Sequence, residues 1–286
     1  MKKTILQMAA TVLALWGIFT ANSMVAGQQV MASASADAGV QVPVLMYHSI
    51  LKDSARTGKY VLPPDALKAD LAYLKEHGYE SVTVSDLLAY VRDGAPLPEK
   101  PVMITFDDGY YNNYLYAYPI LKEQGMRAVI SIIGSQTALF TENGQENAYW
   151  SHLTTERCRE MAADGTVEIQ NHSYDLHTYG NRRGCLRTRG EDEASYRAFL
   201  QHDTREAQEL ITGAGLPEPT CYTYPFGSLS KESEVILKEM GFQCTLGCEE
   251  GVNTVTRDPD CLYQMKRFNR PAGISTGAFM KKAGIT

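Results

Sequence analysis

Two adjacent carboxylates, Asp107 and Asp108, stand where an apolar run meets a glycine, a placement suited to chemistry. Residues 102–106 (Val-Met-Ile-Thr-Phe) are typical of a buried strand in a parallel sheet, and the loops after such strands carry the chemistry of α/β folds. Neighbouring carboxylates repel each other unless a cation lies between them. A metal ion would bind one carboxylate and leave the other free as a base. The alternative interpretation is a solvated Asp-Gly turn.

Two histidines, His172 and His177, form the second candidate group, directly after residues 167–170, which are typical of a strand. Their spacing does not place them on one helix face, but the side chains can converge where a chain leaves a strand and turns. One carboxylate and two imidazoles, with positions left for water, form a catalytic metal site. We therefore predict that Asp108, His172 and His177 bind a metal ion; two solvated loop histidines are the alternative.

Three motifs give the chain a resemblance to the polysaccharide deacetylase family, also called the NodB-homology family or carbohydrate esterase family four. Residues 105–109 (Thr-Phe-Asp-Asp-Gly) and 172–177 (His-Ser-x-x-x-His) resemble its first two motifs, and residues 222–227 (Tyr-Thr-Tyr-Pro-Phe-Gly) resemble the third. The opening residues 43–48 (Pro-Val-Leu-Met-Tyr-His) resemble the branch that de-N-acetylates poly-β-1,6-N-acetylglucosamine of biofilms, where the N-terminal strand supplies the last histidine motif. The resemblance extends over nearly the whole chain after the N-terminal segment.

The resemblance implies a role for each matching residue. Asp107 would be the general base and His48 the general acid that protonates the leaving amine, while Asp108, His172 and His177 would hold a divalent ion. We expect zinc, with cobalt, nickel or iron as alternatives, because all of them accept two imidazoles and one carboxylate. The chemistry agrees, since amide hydrolysis needs a nucleophile stronger than neutral water and a proton delivered to the nitrogen.

Further residues are expected to contact the substrate. The backbone N–H near Phe226 would help to hold the oxyanion, and Tyr224, Tyr110 and Trp150 are candidate contacts for the sugar. Aromatic side chains are more often core residues than binding surfaces, and that is the alternative for these three.

The third motif departs from the family pattern at Thr223, where the family usually has an arginine that holds and polarises the base carboxylate. Arg267 and Arg270 are candidate replacements, and ordinary surface arginines are the alternative. His48 is the preferred general acid because no histidine motif stands near the C-terminus; His152 remains its rival.

Strands that alternate with helices predict the α/β class with a mainly parallel sheet or barrel. The resemblance specifies a distorted (β/α) barrel of about seven strands. Residues 1–27 have the layout of a secretory signal peptide, with an uncleaved membrane anchor as the alternative. Residues 28–40 are expected to form a linker, and residues 41–286 a single deacetylase domain.

The chain has a formal net charge of −6 and therefore no basic footprint for nucleic acid. Its six cysteines all follow the N-terminal segment; an even number in an exported protein favours disulfides, and none has the C-x-x-C spacing of a zinc site. We expect structural or free cysteines in a monomer that meets a membrane only through its N-terminal segment.

Together these observations predict a secreted or cell-surface enzyme that removes N-acetyl groups from an extracellular N-acetylglucosamine polymer and releases acetate. Poly-β-1,6-N-acetylglucosamine is the favoured polymer, and peptidoglycan is the alternative substrate. A non-catalytic carbohydrate-binding relative is the alternative from another class, because the family arginine is missing.

Overall fold

The computed structural model describes residues 39–286, and Gln41–Thr286 forms one compact unit. The predicted signal peptide (1–27) and residues 28–38 of the predicted linker lie outside the described residues. Among residues 39–286, no helix combines the length and the apolar sequence that crossing a membrane requires.

Short strands make up the centre of the fold. They are β1 (Val40–Val42), β2 (Val44–Tyr47), β3 (Ser49–Ile50), β4 (Val61–Leu62), β5 (Glu80–Val82), β6 (Pro101–Phe106), β7 (Ala128–Ile132), β8 (Val167–Asn171), β9 (Cys221–Thr223), β10 (Cys244–Leu246), β11 (Asn253–Val255) and β12 (Phe268–Asn269). Seven of them pair in parallel in the order β10-β9-β8-β7-β6-β2-β12, and β5 pairs with the start of β6. Strands β3 and β4, and β1 and β11, form two small additional pairs.

Helices connect most of these strands, as the alternating sequence pattern predicts. They are α1 (Pro64–Glu76), α2 (Val84–Asp93), α3 (Tyr118–Gln124), α4 (Gly134–Asn143), α5 (Thr155–Ala163), α6 (Glu193–Gly213), α7 (Lys231–Glu239) and α8 (Thr276–Lys282). A π-helical turn, Asn113–Ala117, leads directly into α3.

The sheet curls until its two ends meet. Met265 forms a single parallel bridge with Leu246 of β10, only a few residues before the chain enters β12 at the other end of the sheet. All six residues of β6 are buried, which is why this strand is apolar along its whole length instead of alternating. The expectation of a distorted (β/α) barrel is confirmed.

Several element boundaries differ from the sequence-based expectation. The sequence pattern predicts Ser85 as the cap of α2, but Thr83 holds that position in a reciprocal capping box, in which its backbone N–H donates to Asp86 Oδ2 at 2.7 Å. Helix α4 was not predicted, since its small and polar residues show little periodicity.

The sequence pattern also predicts a last strand over residues 262–268, which is largely absent from the structure. Pro259–Leu262 forms a 3-10 turn instead, and only Phe268–Asn269 pairs with β2. The side chain of Asn253 bonds both backbone groups of Lys266, at 2.8 and 2.9 Å, and so satisfies them without a neighbouring strand.

A buried ion pair joins α1 to the C-terminal segment. Arg270 donates to both carboxylate oxygens of Asp70, at 2.7 and 3.1 Å, and both side chains are almost fully buried. Thr276 and Tyr47 donate their hydroxyls to the same carboxylate, at 2.6 and 3.2 Å. Removing one partner would leave an uncompensated charge in the core.

We expect Arg270→Met to lower the free energy of unfolding by about 3–5 kcal/mol, because Asp70 would stay buried without its cation. Urea denaturation measures the change. The matched control is Lys68→Met on the same helix, which breaks an exposed pair with Glu123 and should cost less than about 1 kcal/mol. Equal losses in the two variants would contradict the assignment.

Candidate active site

The carboxylates Asp107 and Asp108 lie directly after β6, at the carboxyl end of the sheet, as expected. Asp108 has a left-handed backbone with φ 69°, and Gly109 follows with φ 66°. A Cβ at Gly109 would lie 2.8 Å from Ile132 Cγ2, so the turn requires glycine at this position. Because of this tight turn, the two neighbouring carboxylates contact different partners.

Asp108 lies with His172 and His177, which arrive from the loop after β8. One ligand atom from each of the three side chains lies within 4.8 Å of the others. Asp108 Oδ1 is 3.4 Å from Nε2 of His172 and 3.3 Å from Nε2 of His177. Asp108 and His172 are buried, and His177 is partly exposed. The structure therefore brings together all three side chains that were predicted to bind a metal.

The hydrogen bonding of this cluster fits a cation. Nδ1 of His172 donates to the carbonyl of Thr223 at 2.7 Å, because a carbonyl can only accept. In the neutral ring, Nε2 then turns a lone pair toward Asp108 Oδ1, an oxygen with no hydrogen-bond partner among residues 39–286. Two facing lone pairs repel each other, and a positive charge between them removes the repulsion.

The pKa shifts point the same way. Burial alone would lower the pKa of His172, but the carboxylates of Asp108 and Asp107 outweigh it and raise the pKa. Burial would raise the pKa of Asp108, but the imidazole of His172 holds it far below its usual value. The position between them thus strongly favours positive charge.

The loop that carries His177 is held by a carboxylate on α6. Both oxygens of Asp203 accept backbone N–H groups, from Tyr174 at 2.9 Å and from Asp175 at 2.7 Å. Asn171 Oδ1 accepts the N–H of Ser173, whose φ is 71°. No motif marks Asp203, because it lies inside an ordinary helical pattern 26 residues after His177.

Asp107 is paired with Arg267, which the sequence analysis named as a candidate replacement for the family arginine. The guanidinium donates to both carboxylate oxygens, at 2.7 and 2.8 Å, and its Nε donates to the carbonyl of Gly247 at 2.7 Å. Burial would raise the pKa of Asp107, but the charge of Arg267 outweighs it and lowers the pKa. Asp107 is therefore ionised and fixed in orientation.

Arg270, the other candidate, does not reach Asp107. It is committed to Asp70 in the buried pair described above, so the base-orienting role predicted for it does not fit the structure.

His48 follows β2 on the other side of Asp107, with its Nε2 4.0 Å from Asp107 Oδ2. Burial lowers the pKa of His48, and the two carboxylates only partly restore it. Its rival, His152, stacks against Tyr110 and Phe140, and burial lowers its pKa to about 4. The contact with Asp107 favours His48 as the residue that shares the site with the base.

Aromatic side chains surround the cluster. The ring of Phe226, which has φ 59°, lies 4.2 Å from that of His177. The ring of Tyr179 packs at a tilt against Phe226, with 5.0 Å between the centroids, and 89% of its surface is exposed. Trp150 is half exposed beside Phe140. These rings form an exposed aromatic rim beside the buried polar groups.

Two aromatic residues differ from expectation. Tyr224 was a candidate substrate contact, but it is fully buried in the apolar cluster around Tyr222 and Phe242, so it serves the core. Tyr60, which no motif marked, lies with its ring 4.7 Å from that of His48 and is 48% exposed. Tyr110 remains beside the cluster, where burial and the charge of Asp108 raise its pKa and keep the phenol neutral.

Comparison with known proteins identifies the class. Residues 94–245, more than half of the chain, match the polysaccharide deacetylase family. The chain belongs to this family and is a hydrolase that acts on N-acetyl amide bonds. The resemblance seen in the motifs is thereby confirmed.

Individual relatives extend the comparison. The chain is 29% identical to YxkH of Bacillus subtilis, which is named for the same family, over 84% of this chain and 75% of that protein. It is 27% identical to the poly-β-1,6-N-acetyl-D-glucosamine N-deacetylase of Escherichia coli over 73% of this chain, but it spans only 34% of that enzyme. A de-N-acetylase from Aggregatibacter actinomycetemcomitans shares the fold, with TM-score 0.72 and 23% identity over 85% of this chain and all of that one.

We expect Asp108→Ala to abolish retention of a divalent metal, because the two imidazoles would lose their only anionic co-ligand. Elemental analysis of the purified protein after dialysis against a weak chelator measures this. Glu168→Ala, which removes a carboxylate at the opposite end of β8, is the control and should retain the metal. A metal-loaded Asp108→Ala protein would refute the ligand assignment.

Proposed function

We propose that this chain is a metal-dependent N-deacetylase of an extracellular N-acetylglucosamine polymer, and that poly-β-1,6-N-acetylglucosamine is the favoured substrate. The observation that carries the proposal is the buried cluster of Asp108, His172 and His177 beside the Asp107–Arg267 pair. Two adjacent carboxylates with different partners can divide the work of one reaction, since one binds the metal ion and the other acts as the base.

Asp108, His172 and His177 would hold the divalent ion, for which zinc is favoured and cobalt, nickel or iron are alternatives. Such an ion supplies a water of lowered pKa and a positive charge for the oxyanion that develops on the acetyl group. The Nδ1 bond from His172 to Thr223 fixes the ring so that Nε2 faces the site.

Asp107 would accept the proton of the attacking water. A carboxylate offers about four lone-pair sites, and the two bonds from Arg267 leave others open for that proton. Arg267 thereby replaces the arginine that the family usually has at the position of Thr223. It reaches the same carboxylate from the opposite end of the curled sheet.

His48 would donate a proton from its imidazolium to the amide nitrogen as the C–N bond breaks, so that a neutral amine leaves and acetate is released. The lowered pKa of His48 makes its protonated form a stronger acid, which aids transfer to the poorly basic nitrogen. The backbone N–H near Phe226 is the proposed additional donor to the oxyanion.

The exposed aromatic rim supports a polymeric substrate. Trp150 and Tyr179 present rings on which pyranose faces can stack next to the reacting residue. Relatives from Escherichia coli and Staphylococcus epidermidis are named as poly-β-1,6-N-acetyl-D-glucosamine N-deacetylases, which favours that polymer over peptidoglycan.

The signal-peptide layout of residues 1–27 supports export and a cell-surface or secreted location. Residues 28–40 would be the linker, and residues 41–286 the deacetylase domain, acting as a monomer.

We expect Asp107→Asn to keep its metal and to lose turnover by about 10²–10⁴-fold, the usual contribution of a general base. Acetate release and metal content are measured on the same preparation. Asp108→Asn is the matched comparison, since it changes the adjacent carboxylate and should lose the metal. If Asp107→Asn loses the metal and Asp108→Asn keeps it, the roles of the two acids are reversed.

We expect the purified chain, loaded with zinc, to release acetate from poly-β-1,6-N-acetylglucosamine with a higher kcat/KM than from peptidoglycan. The metal-free Asp108→Ala protein is the background for both polymers. A higher kcat/KM on peptidoglycan would favour the second candidate substrate. Binding to either polymer without any acetate release would favour the non-catalytic carbohydrate-binding alternative.

A further inference from the structure

The side chain of His48 has no hydrogen bond to residues 39–286 that could orient it. Its Nδ1 is buried without a hydrogen-bond partner among residues 39–286, and its Nε2 lies 4.0 Å from Asp107, beyond hydrogen-bond distance. The ring packs at a tilt against that of Tyr60, which is itself half exposed. The position of the imidazole therefore depends mainly on where the backbone of residues 47–50 lies.

At the end of the β2–β6 pair the N–H of Asp107 donates to the carbonyl of Tyr47 at 3.0 Å, and two consecutive asparagines hold the residues that follow. Asn113 Nδ2 donates to the carbonyl of His48 itself at 2.7 Å. Asn112 Oδ1 accepts the N–H of Ile50 at 2.9 Å, and its Nδ2 donates to Ser49 Oγ at 2.8 Å. Both asparagines are buried, and they bond three successive residues of a segment more than 60 residues earlier in the chain.

The asparagines belong to the segment that carries the two acids. They come three and four residues after Gly109, where the chain enters the π-helical turn Asn113–Ala117. Asn113 N donates to the carbonyl of Tyr110 at 2.9 Å, and Tyr111 N donates to that of Ser151 at 2.9 Å, so this short segment is itself fixed. Single π-helical turns are uncommon and occur frequently at functional sites.

We propose that Asn112 and Asn113 are positioning residues that set the distance between the proton donor His48 and the base Asp107. The pair works as a strap between the loop after β2 and the loop after β6, which carry the two groups. This inference rests on the proposed role of His48 as general acid. The alternative is that the asparagines only stabilise the fold, as buried side-chain amides often do.

The leaving group separates the two explanations. An amide nitrogen must receive a proton before it leaves, whereas a 4-nitrophenolate leaves without one. A displaced His48 should therefore impair deacetylation of the N-acetyl polymer and spare the hydrolysis of 4-nitrophenyl acetate. A general loss of structure would impair both reactions, because both need the metal cluster and Asp107.

The central experiment compares Asn113→Ala with the wild type, both loaded with zinc. We expect kcat for acetate release from the polymer to fall roughly 10- to 100-fold, the effect of a reacting group displaced by about 1 Å. We expect kcat/KM for 4-nitrophenyl acetate to stay within about twofold, and zinc content to stay unchanged. Asn113→Asp, which keeps the volume but loses the Nδ2–H donor, should show the same difference between the two substrates.

Two further variants complete the design. His48→Ala should show the largest amide-to-ester difference, and adding Asn113→Ala to it should change little, because both act through one group. Tyr196→Phe removes a buried hydroxyl that bonds Cys185 and Ser233 and no residue of the site, and it should lower stability without separating the two substrates.

Each way in which the proposal could be wrong gives a different pattern of activities in these variants. If His48→Ala lowers both activities equally, the proposed general acid is wrong. If His48→Ala separates the substrates but Asn113→Ala and Asn113→Asp do not, the positioning inference alone is wrong. Loss of the folded state in both Asn113 variants, seen by near-ultraviolet circular dichroism, would assign the asparagines to stability and also overturn the inference.

Discussion

The central constraint in this structure is the burial of two adjacent negative charges at the end of one strand. Asp107 and Asp108 are each less than 5% exposed, and an ionised carboxylate in such surroundings needs a compensating positive charge. Arg267 supplies that charge to Asp107 through two parallel hydrogen bonds. Asp108 lies instead beside two imidazoles, and their arrangement favours a cation at the same point.

The barrel meets this constraint by bringing together the ends of several strands. The acids follow β6, the histidines of the cluster follow β8, His48 follows β2, and Arg267 precedes β12. Parallel strands place the ends of β2, β6 and β8 at one edge of the sheet. Arg267 lies at the amino end of β12, and the curl of the sheet brings the segment before β12 to β10 through the Leu246–Met265 bridge, so that the long side chain of Arg267 extends to Asp107. Arg267 can therefore reach Asp107 although 160 residues separate them in sequence.

Hydrogen bonds from surrounding residues hold the functional groups of the site in place. The carbonyl of Thr223 orients His172, Asp203 holds the loop of His177, and the two asparagines hold the backbone at His48. Each of these contacts joins residues that are far apart in the chain, so no single motif contains both partners. They satisfy buried backbone groups, so they are required by the fold as well as by the site.

The sequence alone determined which residue types stand at the strand ends, because apolar runs, turn glycines and the acid and histidine spacings are local features. It also left two candidates, Arg267 and Arg270, for the arginine that the family usually has at the position of Thr223. Only the tertiary structure decided that Arg267 pairs with Asp107 while Arg270 pairs with Asp70. It also decided that Tyr224 lies in the core and that Tyr60 and Tyr179 are exposed at the rim. The physical reason is that periodicity specifies whether a side chain faces inward, whereas its partner depends on how the sheet curls and closes, which no local pattern records.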